Sequence, residues 1–124
     1  MKGTVLIVDD DTGVRNFLRD LLEVLSYQVV EAANGCEALE KLTTCTPALI
    51  ILDRMMPEMD GVAFAQALQH RHLSYPLLAC SASDTIHSFA DQIHAIGYVT
   101  KPFHISQLLN VISRWIESHT REAV

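Results

Sequence analysis

No stretch of this chain is apolar for anything like the roughly 18 residues a membrane span needs, so the expectation is a protein without a membrane segment. Basic residues are scarce too. Nine Lys and Arg stand against fifteen Asp and Glu, unclustered, and the net charge of -6 argues against direct binding of nucleic acid or an anionic membrane. The three cysteines, Cys36, Cys45 and Cys80, are odd in number and far apart, which excludes a disulfide framework and a metal-ligand spacing and fits free thiols in a reducing cytoplasm. No Gly-rich loop follows the first apolar run, in either the P-loop or the G-x-G-x-x-G form, which counts against a flavin- or nucleotide-binding module that a copurifying absorbing cofactor would revive. No linker, repeat or low-complexity tract breaks the chain, and because Met1-Lys2-Gly3 leads at once into an apolar run, no signal peptide is expected. One cytoplasmic domain over residues 1–124 is the expectation, and 49% hydrophobic residues suffice for a full core.

What is present is a strict alternation. Short apolar runs over about 4–8, 28–31, 48–52, 76–80 and 98–100 read as strands. Between and after them lie five helical patterns. The first carries Val14, Phe17, Leu18, Leu21, Leu22 and Leu25 at helical spacing, with Asp11 or Thr12 as cap. Asn34-Gly35-Cys36-Glu37 resembles a capping box opening the second, which buries Ala38, Leu39 and Leu42. Val62, Ala65 and Leu68 should face inward on the third, and Ile86, Phe89, Ala90 and Ile93 on the fourth, capped by Ser83 or Asp84. The last carries Ile105, Leu108, Leu109, Ile112 and Ile116 on one stripe. Continuous apolar strands alternating with helices imply an α/β fold: a five-stranded parallel sheet, doubly wound, with helices on both faces. The flavodoxin-like order 2-1-3-4-5 is the commoner solution at this size.

In such a sheet the site lies beyond the carboxyl ends of the strands. Four of these ends carry reactive groups: Asp9, Asp10 and Asp11; Asp53; Ser81; and Lys101. Carboxylates roughly 4 Å apart repel by about 4 kcal/mol at an effective dielectric near 20. A hard divalent cation such as Mg²⁺, which takes one or two carboxylates and welcomes phosphate oxygens, would relieve that repulsion. Lys101 adds a point charge on a flexible stem, and Ser81 a hydroxyl donor. Asp53, alone at the central strand tip, is the expected nucleophile toward a phosphoryl group.

The chain resembles a receiver domain of bacterial two-component response regulators. The resemblance rests on Asp9-Asp10, on Asp53-Arg54-Met55-Met56-Pro57-Glu58-Met59-Asp60-Gly61, on Ser81-Ala82, on Tyr98 and on Lys101-Pro102-Phe103, all in order. It implies that Asp53 accepts a phosphoryl group from a phosphohistidine of a sensor kinase or histidine phosphotransfer domain. It implies Mg²⁺ (or Mn²⁺) held by Asp10, Asp53 and the backbone carbonyl of Met55, with Asp9 acting through water. Lys101 and Ser81 would bind the phosphoryl group, Tyr98 would be the rotameric switch, and the Lys101-Pro102 bond would be cis. A downstream protein would meet the face made by the fourth helix, fifth strand and fifth helix, and dimerisation is left open. Ser81 departs from the commoner threonine, Arg54 from the commoner apolar residue, and Met55 and Ser83 occupy positions that tune phosphoryl loss in similar proteins. With no residues for an output domain after the last helix, a single-domain regulator or a segment of a larger protein is expected.

Two other functions remain open beside it. An aspartate-nucleophile phosphatase of the haloacid dehalogenase type wants Asp-x-Asp-x-Thr/Val, but Asp9-Asp10-Asp11-Thr12-Gly13 ends in glycine. A phosphorylation-independent interaction module would not need all five polar residues. The plainer expectations are that Asp11 caps a helix, Asp60 stabilises the turn before Gly61, Glu58 is loop surface, Arg15 and Arg19 form a solvated helix face, and Met55, Met56 and Met59 fill the loop. His70, His72, His87, His94, His104 and His119 form no ligand set. Trp115 is either core edge or partner surface.

Overall fold

In the computed structural model the backbone of residues 3–122 and the side chains through Trp115 are described. The strands are β1 (Thr4–Val8), β2 (Gln28–Ala32), β3 (Leu49–Asp53), β4 (Leu77–Ala82) and β5 (Gly97–Lys101). The helices are α1 (Thr12–Val24), α2 (Gly35–Lys41), α3 (Gly61–His70), α4 (Ile86–Ile93) and α5 (Ile105–Glu122). All four strand pairings are parallel, in the order β2-β1-β3-β4-β5. The fold is the flavodoxin-like doubly wound sheet expected from the alternation.

The sheet is buried on both sides, which is why its strands are apolar without interruption. Leu6, Val8, Ile50, Leu52 and Ala79 face one cluster, with Phe64 and Phe89 from α3 and α4. Val5, Ile7, Ile51, Leu78 and Val99 face the other, with Leu18, Leu22, Leu108 and Ile112 from α1 and α5. Asp11, Asn34 and Asp60 cap α1, α2 and α3, each accepting a backbone N–H three residues on.

Several local expectations need correction. Strands β2 to β5 extend one or two residues past the predicted bounds, because parallel pairing carries the backbone on beyond the apolar side chains. On α3 the deepest residue is Phe64, with Val62 and Ala65 only half-buried, since the helix turns its larger side chain into the core. On α1, Phe17 is pushed outward and stacks on Phe103, ring centroids 6.3 Å apart. The first residue before α4 is Thr85, not Ser83 or Asp84. Ile105 is exposed and Leu109 half-buried, and the side chain of Ile116 lies outside the described residues. Trp115 packs at the edge of the second cluster and also lines a surface groove of about 800 Å³ with Ile96, Tyr98, Asn110, Val111 and Arg114.

Candidate functional site

The order of the strands decides which tips meet. Val8 pairs with Leu52, so Asp9, just past β1, stands beside Asp53 at the end of β3. Strand β4 lies on the other side of β3, with Asp53 opposite Cys80 and Ser81 next along. Lys101 ends β5, and its long stem crosses back over β4. Its Nζ donates to Asp9 Oδ2 at 2.7 Å and pairs with Asp53 Oδ1 at 2.9 Å. Asp9, Asp10 and Asp53 each offer an oxygen within 4.8 Å of the others. Residues scattered along the chain are thereby gathered at one switch point.

Asp9 and Asp53 are buried, Asp10 is exposed. Burial pushes the Asp53 carboxyl up to about 6, aided by the charges of Asp9 and Asp10 and opposed by Lys101. Burial alone would pull the Lys101 ammonium down, but its hydrogen bonds to Asp9 and Asp53 and their charges outweigh that and hold its pKa above the ordinary value. With all groups ionised, three carboxylates and one ammonium leave a local charge of -2. Hard oxygen donors with that surplus fit a divalent oxygen-seeking cation. Burial also pushes the Cys80 thiol beneath the site up, so it is no nucleophile at neutral pH.

The raised Asp53 pKa has a consequence for stability. Between 3.8 and about 6 the folded chain keeps a proton on Asp53 that the unfolded chain has released. The contribution of Asp53 to stability therefore falls as pH rises through that window and is lowest above it. Metal-free Asp53→Asn protein is expected to be more stable than the parent by roughly 2 kcal/mol at about pH 8, with the difference vanishing near pH 4. Urea melts at both pH values check this, and an equal gap at the two would refute it.

Not every expected residue points into the cluster. Ser81 is buried, but its Oγ lies 2.5 Å from Thr85 Oγ1. Tyr98 is 38% exposed, its ring edge-on to His87. Met55 is 63% exposed instead of filling the loop, because it sits where the chain swings off β3 into solvent; Met56 is buried and Met59 half-buried. The Lys101-Pro102 bond is cis. Asp60, expected to stabilise the turn before Gly61, caps α3, its Oδ1 accepting from the Ala63 N–H. Glu58, on the surface with φ 67°, accepts from Asn34 Nδ2 at 3.4 Å. Five of the histidines are exposed, and His119 lies outside the described side chains.

Arg15 and Arg19 do not form a simple solvated face. Arg15 Nη1 donates to the backbone carbonyl of Asp9 at 2.6 Å, and its Nε pairs with Glu31 at 3.2 Å. Arg19 pairs with the other oxygen of Glu31. Arg15 thus ties the peptide between the two aspartates to β2. Neither this contact nor that of Thr85 was foreseen. The only local signal was a hydroxyl four residues beyond Ser81.

The family model described as "Response regulator receiver domain" matches residues 5–113. The chain is 36% identical over 105 residues to the alkaline phosphatase synthesis transcriptional regulatory protein PhoP of Bacillus subtilis, covering 83% of this chain and 44% of that protein. It thus spans under half the length of that curated relative. Among solved structures, the signal receiver domain of a Syntrophus aciditrophicus signal transduction histidine kinase is 30% identical, with TM-score 0.80, covering 94% of this chain and 91% of that one. The receiver domain of a Francisella response regulator is 27% identical, with TM-score 0.82, over 94% and 98%.

Proposed function

Because this chain belongs to the response regulator receiver domain family, we propose that it is a phosphoacceptor switch in which Asp53 receives a phosphoryl group from a phosphohistidine. The donor is a sensor histidine kinase or a histidine phosphotransfer domain. An Asp53 carboxylate oxygen attacks phosphorus, an O–P bond forms, and the N–P bond breaks. The electron pair returns to the imidazole nitrogen, which takes up a proton. The chain takes part in its own phosphorylation and dephosphorylation without being a turnover enzyme.

One observation carries the reading. Asp53 ends the central strand with Lys101 at 2.9 Å and two further aspartates alongside. Mg²⁺ (or Mn²⁺) would be held by Asp10, Asp53 and the Met55 backbone carbonyl, with Asp9 through water. It supplies positive charge that neutralises the phosphoryl oxygens. Lys101, now on the two carboxylates, would swing onto a phosphoryl oxygen, and Ser81 would turn from Thr85 to hydrogen-bond another.

Phosphorylation adds about -1.5 to -2 charge at neutral pH. Drawing Ser81 toward that charge and Tyr98 inward would reshape the face of α4, β5 and α5, where Ile96, Tyr98 and Ile105 are exposed. A downstream protein or a second copy would read that face. Among the described residues no helix is long and apolar enough to cross a membrane. Incubation with acetyl phosphate and Mg²⁺, followed by peptide mass spectrometry, tests the reading. Magnesium-dependent label on Asp53 is expected. Label elsewhere, or steady turnover of a phosphomonoester, would overturn it.

A further inference from the structure

Thr85, at the N-cap of α4, and His87, in its first turn, contact both side chains that have to move in the proposed switch. Ser81 Oγ lies 2.5 Å from Thr85 Oγ1, and Thr85 Oγ1 in turn donates to the Ala82 carbonyl at 3.3 Å. A hydroxyl has one proton to give. Whichever of the two gives it to the other across 2.5 Å, the Ser81 hydroxyl is held by Thr85. The hydroxyl that a phosphoryl oxygen would require is therefore already engaged. Thr85 stands at the N-cap of α4 yet makes no side-chain cap hydrogen bond. Holding Ser81 is thus what its hydroxyl does in addition to closing the turn on Ala82.

Two residues further on, the His87 ring meets the Tyr98 ring edge-on, centroids 4.9 Å apart at 74°. Tyr98 lies on the strand beside Ser81's own, where Ser81 pairs with Thr100. Ile86, Phe89 and Ile93 anchor α4 in the core, which seats its first turn on the fold.

We propose that this turn is a two-point latch, in which Thr85 holds the Ser81 hydroxyl and His87 holds the Tyr98 ring, so that modification of Asp53 must release both. Thr85 and His87 are positioning residues. They stabilise the unmodified arrangement alone, and a contact made in one state only shifts the balance between the two. The latch rests on the phosphoacceptor reading of Asp53.

Beryllofluoride with Mg²⁺, an unreactive stand-in for a phosphoryl group on a carboxylate, tests it by titration calorimetry on the full chain. Thr85→Val is expected to bind it about three- to tenfold more tightly than the parent, the worth of one neutral hydrogen bond removed from the competing state. Thr85→Ser keeps the hydroxyl and should match the parent. His87→Ala should bind about two- to fivefold more tightly, the worth of one aromatic edge contact. Affinity for Mg²⁺ alone should be the same in all of them, which a general loosening of the fold would not leave untouched. If Thr85→Val melts early, Thr85→Ala carries the same expectation. Equal or weaker binding in the valine and alanine variants, with normal binding in the parent, overturns the latch. A parent that binds no beryllofluoride overturns the phosphoacceptor reading itself, and the latch with it.

Discussion

Asp53→Ala protein is expected to take up no phosphoryl group from acetyl phosphate, and Lys101→Met protein to take it up about a hundred- to a thousandfold more slowly than the parent. The first follows from position. Asp53 alone ends the central strand, buried, with the ammonium 2.9 Å from its oxygen. The second follows from charge. Negative charge develops on the transferring oxygens, and a donor already in place stabilises it without reorganisation. Lys101 has a second role that moves other quantities the opposite way. It neutralises Asp9, which is 2% exposed. Methionine would leave the cluster at -3 instead of -2, so Mg²⁺ should bind more tightly while labelling slows. Metal-free stability should fall by about 2 kcal/mol, less than for a fully buried broken pair because Lys101 is partly exposed. Labelling kinetics, a Mg²⁺ titration and a urea melt separate these effects. A Lys101→Met rate within threefold of the parent would leave lysine as a neutraliser only.

Gly61→Ala should destabilise the fold by about 2–3 kcal/mol, a fall of roughly 10 °C in Tm for a chain of this size. The reason is space, not backbone conformation. A Cβ at Gly61 would fall on the backbone carbonyl of Asp53 and on the Phe89 ring. The ring is fully buried, and the carbonyl belongs to the central strand. Neither can yield without displacing β3 or α4. The Gly61 N–H also donates to the Arg54 carbonyl at 2.9 Å, which fixes how α3 leaves the strand. Because the displaced carbonyl is that of the phosphoacceptor, labelling should slow together with the loss of stability. A calorimetric melt within 2 °C of the parent would show that α3 has room to shift.

The alternation of apolar runs with helical stripes was enough to place five strands and five helices in order. It also identified Asp9, Asp10, Asp53, Ser81 and Lys101 as strand-tip residues. Those features are short-range. An apolar run buried on both faces, or an Asn34 or Asp60 beside a free N–H, carries its own reason within a few residues. Strand boundaries slipped by a residue or two because pairing with a neighbouring strand, not side-chain polarity, decides where a strand stops.

What could not be read locally is which group holds which. Lys101 bridges Asp9 and Asp53 only because β5 and β1 flank the same two strands. Arg15 looked like a solvated helix residue, but the placement of β2 gives it Glu31 and the Asp9 carbonyl. Phe17 fitted the buried stripe of α1, yet Phe103, arriving from beyond β5, gave it an exposed partner instead. Ser81 was legible as a hydroxyl at the site, but its bond to Thr85 depends on where α4 begins. The chain alone determined the fold and the chemical inventory of the strand tips, because burial and periodicity act between near neighbours. The tertiary structure alone decided the partners, because a hydrogen bond or ion pair depends on distances of a few tenths of an ångström that only the packed elements set.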